Sequence, residues 1–230
     1  MFNFTKGPVP VEIKTQKLNP GWTYPDLDAR QRQIAAGVRR GEGGALLLSE
    51  VAPIITQGRR TPAQDLLASQ QLNRLGISVH STDRGGLATY HCPGQWVIFP
   101  VDSLEALVGD RRGVRKGVGA LLNLALRVGQ QYSSGAHIRQ GCELGVWTDR
   151  GKFAAVGIHI EQGVLLHGLA VNGYRTSSSF QGIRPCGLDL PVDFLLKEPS
   201  LKETSLETSN EEFEDLGNRI VKEAFQCLWY

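Results

Sequence analysis

Lys152-Phe153-Ala154-Ala155-Val156-Gly157-Ile158-His159-Ile160-Glu161, then Gln162-Gly163, then Val164-Leu165-Leu166-His167-Gly168-Leu169-Ala170-Val171, is the stretch that decides the fold. Two β-rich runs flank a two-residue turn that ends in glycine, the pattern of a hairpin. Just upstream, Glu143–Trp147 reads as a further strand, joined to Lys152 through the turn residues Asp149-Arg150-Gly151. The middle of the chain is therefore hairpin-rich, and its sheet contains antiparallel pairs.

Working outward, helices and strands alternate irregularly. Residues 1–25 are rich in proline and polar side chains and read as an extended arm. Asp28–Arg40 is a first helix, broken by Gly41–Gly44, and Ala45-Leu46-Leu47-Leu48 is a buried strand. Thr61-Pro62 has the chemistry of a helix start and Gly76 that of its stop. Ile77–Ser81 and Gln95–Val101 are strand-like. Val118, Leu121, Leu122, Ala125 and Val128 share one helical face. Ser209-x-x-Glu212 has the form of a capping box before a terminal helix bearing Phe213, Leu216, Ile220 and Ala224, after a polar connection from Lys197 to Ser209. No repeat and no internal boundary is visible. The expectation is one domain over residues 1–230 of the α/β class (α+β type), a mixed sheet with flanking helices, its terminal connection and helix filling about 197–230.

Composition narrows the function. A net charge of +2 gives no global argument for nucleic-acid or membrane binding. The four cysteines, Cys92, Cys142, Cys186 and Cys227, include no Cys-x-x-Cys pair, so neither a zinc site nor a disulfide framework is indicated, and a reducing compartment fits. No apolar run would span a bilayer. The first residues lack an apolar signal core, and the first twenty contain no arginine. These features point to the cytoplasm, with the mitochondrial matrix as the alternative for a eukaryotic source.

The chemistry concentrates in two places. Arg84-Gly85-Gly86 is a backbone-permissive loop with a cation that could hold a carboxylate, phosphate or carbonyl, although alone it reads as an ordinary turn. The Thr89-Tyr90-His91 and Pro93-Gly94-Gln95 that follow make it a candidate pocket lining. Lys152 opens its strand, where a lysine is usually a solvated charge; beside a thiol it would stabilise a thiolate or take its proton. Cys186 lies between Pro185 and Gly187, a setting suited to a nucleophile with a nearby oxyanion donor. Cys142 and Cys227 read as small buried hydrophobes, and Cys92 is ambiguous. His91 and His167 could each be a base, but a lone histidine is more often a core residue bonded to backbone. His159 alternates outward on its strand. His80 and His137 carry no signal. Arg39-Arg40, Arg59-Arg60 and Arg111-Arg112 are basic pairs, and Asp110–Lys116 is a local basic cluster.

Taken in order, these motifs resemble those of the lipoyl(octanoyl) transferases, the lipoate-protein ligase B family. Ala45–Arg60 resembles the family's first strand and loop. Asp83–Gln95 resembles its Arg-Gly-Gly…Thr-Tyr-His-Gly-Pro-Gly-Gln signature. Gly145-Val146-Trp147 with Lys152–Gly157 resembles its lysine strand, and His167–Asn172 and Pro185-Cys186-Gly187-Leu188 complete the set. The resemblance covers roughly residues 27–190. It implies a biotin/lipoate protein ligase-like catalytic domain and an acyltransferase of protein lipoylation and lipoate biosynthesis that needs no cofactor or metal. By the same resemblance Cys186 forms a thioester intermediate and Lys152 is catalytic. Arg84, Gly85, Gly86, Leu87, Ala88, Thr89, Tyr90, His91, Ala155, Val156, Gly157, Gly168, Leu169 and Ala170 would line the acyl pocket. The implied donor is octanoyl-acyl carrier protein. The implied acceptors are lipoyl domains of 2-oxoacid dehydrogenase E2 subunits and the glycine-cleavage H protein.

The chain departs from the family pattern at several points. Cys92 replaces a glycine and Trp96 a smaller aliphatic residue, which puts pocket width in question. Gly141-Cys142-Glu143-Leu144 replaces a proline-containing lead. Three rivals remain: an ATP-dependent lipoate- or biotin-type ligase of the same fold, a cysteine hydrolase pairing Cys186 with His91 or His167, and a non-catalytic binding module.

Overall fold

β6 (Gln95–Ser103) and β10 (Val164–Asn172) are the two nine-residue strands around which the molecule is built, and they lie antiparallel in the middle of a seven-stranded sheet. The computed structural model describes residues 9–14, 22–62, 72, 74, 76–176, 191–197 and 203–229. The expected helix from Thr61 to Gly76 therefore lies largely outside the described residues, and Cys186 lies wholly outside them.

On one flank of β6 come β2 (Ala45–Ser49), antiparallel to it, and then β1 (Val11–Lys14), parallel to β2. On the other flank β10 is followed by β9 (Lys152–Glu161), β8 (Gly145–Trp147) and β7 (His137–Arg139), each antiparallel to the last. A second sheet has three strands, β3 (Ile54–Gln57) between β4 (Ser78–Ser81) and β5 (Thr89–His91). The mixed sheet expected from the sequence is present, and the β9–β10 hairpin turns at Gln162 and Gly163, both with positive φ (50° and 82°).

Both faces of the large sheet are covered, and strand periodicity sorts its side chains between two cores. Trp96 and Ile98 of β6 face a core closed by α3 (Val114–Gly129) and α4 (Glu203–Cys227). From α3 come Leu121, Leu122, Ala125 and Val128, and from α4 come Phe213, Leu216, Ile220 and Ala224, as their periodicity requires. Val97, Phe99 and Val101 point the other way, against Leu27 and Ile34 of α1 (Tyr24–Arg39). A short α2 (Leu104–Val108) ends at Gly109, whose φ of 66° suits a left-handed cap. Under the small sheet, Ile55, Leu72, Ile77, Ala88, Tyr90 and Cys92 form a separate cluster.

Several boundaries differ from expectation: β8 begins at Gly145 and not at Glu143, which closes a 3-10 turn, and three further differences have a clear cause. The first helix begins at Tyr24 rather than Asp28, because Thr23 and Asp26 form a reciprocal capping box and Pro25 sits in the first turn. The arm is not wholly detached: Val11–Lys14 adds an edge strand, and the Glu12 carboxylate accepts from Arg30 Nε on α1 at 2.9 Å. The terminal helix starts at Glu203, so Ser209 is an interior residue and not its cap. Glu203, Leu206 and Glu207 are good helix formers, which lets the helix run ahead of the apolar stripe. No helix among the described residues is long and apolar enough to cross a membrane.

Candidate active site

β9 and β10 pair two glycines and two alanines directly across from each other, Gly157 with Gly168 and Ala155 with Ala170. Side chains that small leave a gap on the sheet surface. The Arg84–Gly86 loop roofs it. Gly85 N–H donates to Ile158 O at 2.9 Å, and a Cβ on Gly157 would meet Gly85 O at 3.1 Å and Arg84 Cδ at 3.2 Å. From its other side the loop is held by Arg59 N–H to Arg84 O (3.0 Å) and Arg60 N–H to Gly86 O (3.2 Å). The result is a cavity of about 780 Å³, within the usual range for a small-molecule site.

Most of the expected pocket residues meet on this cavity: residues 84–89, His91, 155–157 and 168–170 all line it, as does Lys152. Tyr90 does not; one residue out of phase with Thr89 and His91 on β5, it is buried in the small core. Neither Cys92 nor Trp96 reaches the cavity. Cys92 is in that same small core, and Trp96 stacks on Phe213 with ring centroids 4.7 Å apart. The expectation that they set pocket width is therefore corrected. Cys142 is corrected too: it is exposed, on a short 3-10 turn at Gly141–Glu143, and it lines the cavity. Cys227 is half-buried, and burial pushes its thiol up.

Lys152 is held rather than solvated. It is half-buried, and its Nζ donates to Leu144 O at 2.6 Å. That contact depends on Gly145, where a Cβ would sit 2.3 Å from Lys152 Cε and 2.6 Å from Ala154 O. Its backbone N–H donates to Pro191 O at 2.9 Å, and its carbonyl accepts from Asp193 N–H at 3.0 Å. Pro191–Asp193, which follow Cys186 in the sequence, are thus tied to the lysine's strand.

The polar groups around the cavity are committed to one another. Arg84 is 7% exposed and donates to Thr56 O (2.7 Å), Thr56 Oγ1 (2.9 Å) and Gly85 O (3.0 Å). Its guanidinium shapes the loop in place of a free anion hook. His91 is buried; its Nδ1–H donates to Gln95 Oε1 at 2.6 Å, and Nε2 accepts from Thr56 at 3.4 Å. Burial pushes its pKa down to about 3. Gln95 in turn donates to Asn172 Oδ1 at 2.9 Å, and Asn172 donates to Asp193 O at 3.1 Å. His167 Nε2–H donates to Asp83 Oδ1 at 2.7 Å while Nδ1 accepts from Tyr24 and Gln31. Burial lowers the pKa of His167, and the His167 hydrogen bond, ahead of Arg32, holds the Asp83 carboxyl well below the ordinary carboxylate range. Both histidines thus have both ring nitrogens engaged by side chains, not by backbone as core histidines were expected to be. Neither is placed as a free base for a hydrolase. His159 is partly exposed, its Nε2 3.7 Å from Asp83.

Besides Cys142, the sequence reading missed Tyr24, Arg60, Phe99, Val118, Gly141, Leu144, Ile158 and His167 as lining residues. The capping box that places Tyr24 at the start of α1 was the readable signal for the first; no local signal marks Phe99 or Val118.

The family model described as the lipoyl protein ligase A/B catalytic domain matches residues 28–215. Curated relatives include octanoyltransferases of Magnetococcus marinus, 35% identical over 72% of this chain and 74% of theirs, and of Maricaulis maris, 37% identical over 76% of each. Among solved structures, the bipartite lipoate protein ligase of Thermoplasma acidophilum aligns at a TM-score of 0.59 and 14% identity, covering 95% of this chain and 83% of that one. An ATP-bound lipoate-protein ligase A aligns at 0.52 and 14%, over 90% and 94%. At such identity these two structures speak for the fold alone.

Proposed function

Because the chain belongs to the lipoyl protein ligase A/B catalytic-domain family, we propose that it moves an octanoyl group from acyl carrier protein to a lysine ε-amine of lipoyl domains by way of a thioester on Cys186. The chain is an acyltransferase. The observation that carries the mechanistic reading is Lys152: the catalytic lysine of the family pattern lies on the wall of a cavity fit for an acyl chain, fastened by Leu144 O.

Two thioester chemistries follow one another. The Cys186 sulfur attacks the donor's carbonyl, the carbon–sulfur bond to the carrier breaks, and the carrier thiol leaves with a proton. The acceptor amine then attacks the acyl-cysteine. A carbon–nitrogen bond forms, the carbon–sulfur bond breaks, and the amine's proton passes to the cysteine sulfur. Lys152 serves as proton relay in both steps. The first exchange is near energy-neutral and the second runs downhill, so ATP is not needed. Leu87, Val156 and Leu169 bury the chain, at about 0.8 kcal/mol per methylene.

The acceptors we propose are the lipoyl domains of 2-oxoacid dehydrogenase E2 subunits and the glycine-cleavage H protein, with all of residues 1–230 acting as one catalytic domain in the cytoplasm. The test is to mix octanoyl-carrier protein with a purified lipoyl domain, without ATP, and follow the acceptor's intact mass. Octanoyl-lysine on the acceptor supports the reading. A requirement for free octanoate plus ATP would make the chain a ligase, and acceptor-independent release of octanoate a hydrolase.

A further inference from the structure

In β10 the pairing with β6 keeps one register on both sides of a break: Leu165 faces Asp102 and Leu169 faces Ile98, with no paired positions between. That register sets His167 opposite Pro100, which has no N–H to donate. At the break His167 takes φ 60°, a left-handed conformation uncommon for a bulky residue and kept only where the surroundings over-determine it. Its pairing with Ile158 of β9 survives.

The surroundings supply that determination. The freed His167 N–H donates to Gln31 Oε1 at 2.7 Å, from a glutamine that is 0% exposed. The imidazole leaves the strand path and meets Tyr24 Oη (3.3 Å), Gln31 Nε2 (3.2 Å) and Asp83 Oδ1 (2.7 Å). Asp83 immediately precedes the Arg84-Gly85-Gly86 roof of the cavity.

We infer that His167 is a positioning residue for acyl-chain selection: its left-handed excursion clamps Asp83, and thereby holds the Arg84–Gly86 roof down over the Gly157–Gly168 gap. The clamp acts beside the Gly85–Ile158 hydrogen bond, at the other end of the same short loop. It fixes how much room the acyl chain has. The selectivity part of this inference rests on the acyltransferase reading; the clamp itself does not.

Two measurements test it. The variants are His167→Gly, which tolerates the positive φ and removes the side chain, itself part of the cavity wall, and the pair Asp83→Ala and Asp83→Asn, at a residue that does not line the cavity and that Arg32 also holds, at 3.0 Å. Asparagine retains the carbonyl that accepts from His167. The first readout is residue-resolved amide exchange at Gly85. Protection there falls by about tenfold or more in His167→Gly and Asp83→Ala and is kept in Asp83→Asn. The second is the ratio of kcat/KM for octanoyl over dodecanoyl donors. It drops about tenfold in the first two variants and stays within about twofold in Asp83→Asn. Unchanged Gly85 protection in His167→Gly overturns the clamp, whether or not the wild type transfers octanoate. Equal losses on both donors, with the ratio preserved, overturn the selectivity role and leave His167 a purely structural residue. A wild type that transfers no acyl group at all sinks the functional reading, and the exchange measurement then still decides the clamp.

Discussion

Replacing Gly145 by alanine tests whether Lys152 works from its observed position. The added Cβ would lie 2.3 Å from Lys152 Cε, 2.6 Å from Ala154 O and 3.0 Å from Lys152 Nζ. Contacts under 3.0 Å essentially never occur for a real Cβ, so something must move. The Ala154 carbonyl sits in the β8–β9 pairing opposite Val146 and yields little. The Lys152 side chain is the part that can give, and in moving it loses its bond to Leu144 O. Overpacking of this kind costs about 1–3 kcal/mol of stability, and the φ of 153° at Gly145, together with the 2.6 Å approach to the Ala154 carbonyl, adds backbone strain that moving the lysine does not relieve. The effect on rate is larger in kind, because a misplacement of about 1 Å in a reacting group costs about 10²-fold. Gly145→Ala should therefore lower kcat by about 10²-fold while KM for the donor changes by less than about threefold. The assay is octanoyl transfer to a lipoyl domain, run on the wild type, Gly145→Ala, Lys152→Ala and the double variant. If Gly145 acts through the lysine, the double variant is no slower than Lys152→Ala alone. Wild-type turnover in Gly145→Ala, or losses that multiply in the double variant, refutes the reasoning.

The buried histidines make stability depend on pH. His91 is pushed down to about 3 in the folded chain against an unperturbed 6.5, so between those values only the unfolded chain binds the proton. Stability is full above about 6.5 and falls by about 1.4 kcal/mol per unit as pH drops below it; denaturant midpoints at pH 7 and 4.5 should show a shallower fall in His91→Gln, and parallel lines would contradict this. At the rim, Arg59 and Arg60 are exposed and carry no ion pair among the described residues, whereas in the other two basic pairs Arg39, Arg40 and Arg111 are matched by Glu161, Glu42 and Glu105, and Arg112 alone is not. Arg59→Glu should raise KM for an acidic carrier-protein donor and weaken the salt dependence of the rate, while sparing a small acyl thioester. Arg60→Glu should affect both donors, because Arg60 also lines the cavity. Equal effects of Arg59→Glu on both donors would remove it from the docking surface.

Much of the scaffold was legible because it is written in local pattern. The Gln162-Gly163 turn fixes the β9–β10 hairpin, and the hairpin sets Ala155–Gly157 across from Gly168–Ala170. The α3 stripe was read from its spacing for the same reason. What escaped depends on partners far away in sequence. The break in β10 needs the register that brings Pro100 of β6 opposite His167, and no window around either residue contains it. Which way Trp96 faces is settled by the packing of α4, and Gly217 makes room for its ring: a Cβ there would come within 2.8 Å of Trp96 Cζ2. Cys142 looked like an ordinary buried thiol because exposure on a 3-10 turn leaves no trace in composition. The site's most specific part, the lysine strand and the glycine loop, was recognised through its motif order. Its geometry follows from the small-residue pairs that open the cavity.

Whether Cys186 carries the acyl group is decided by intact-mass analysis after incubation with octanoyl-carrier protein. The wild type should gain a single octanoyl group, mapped to the Cys186 peptide, released by hydroxylamine and by addition of a lipoyl domain, and missing from Cys186→Ala. A Cys186→Ala variant that transfers octanoate at the wild-type rate, or an adduct mapped to Cys142 instead, contradicts it.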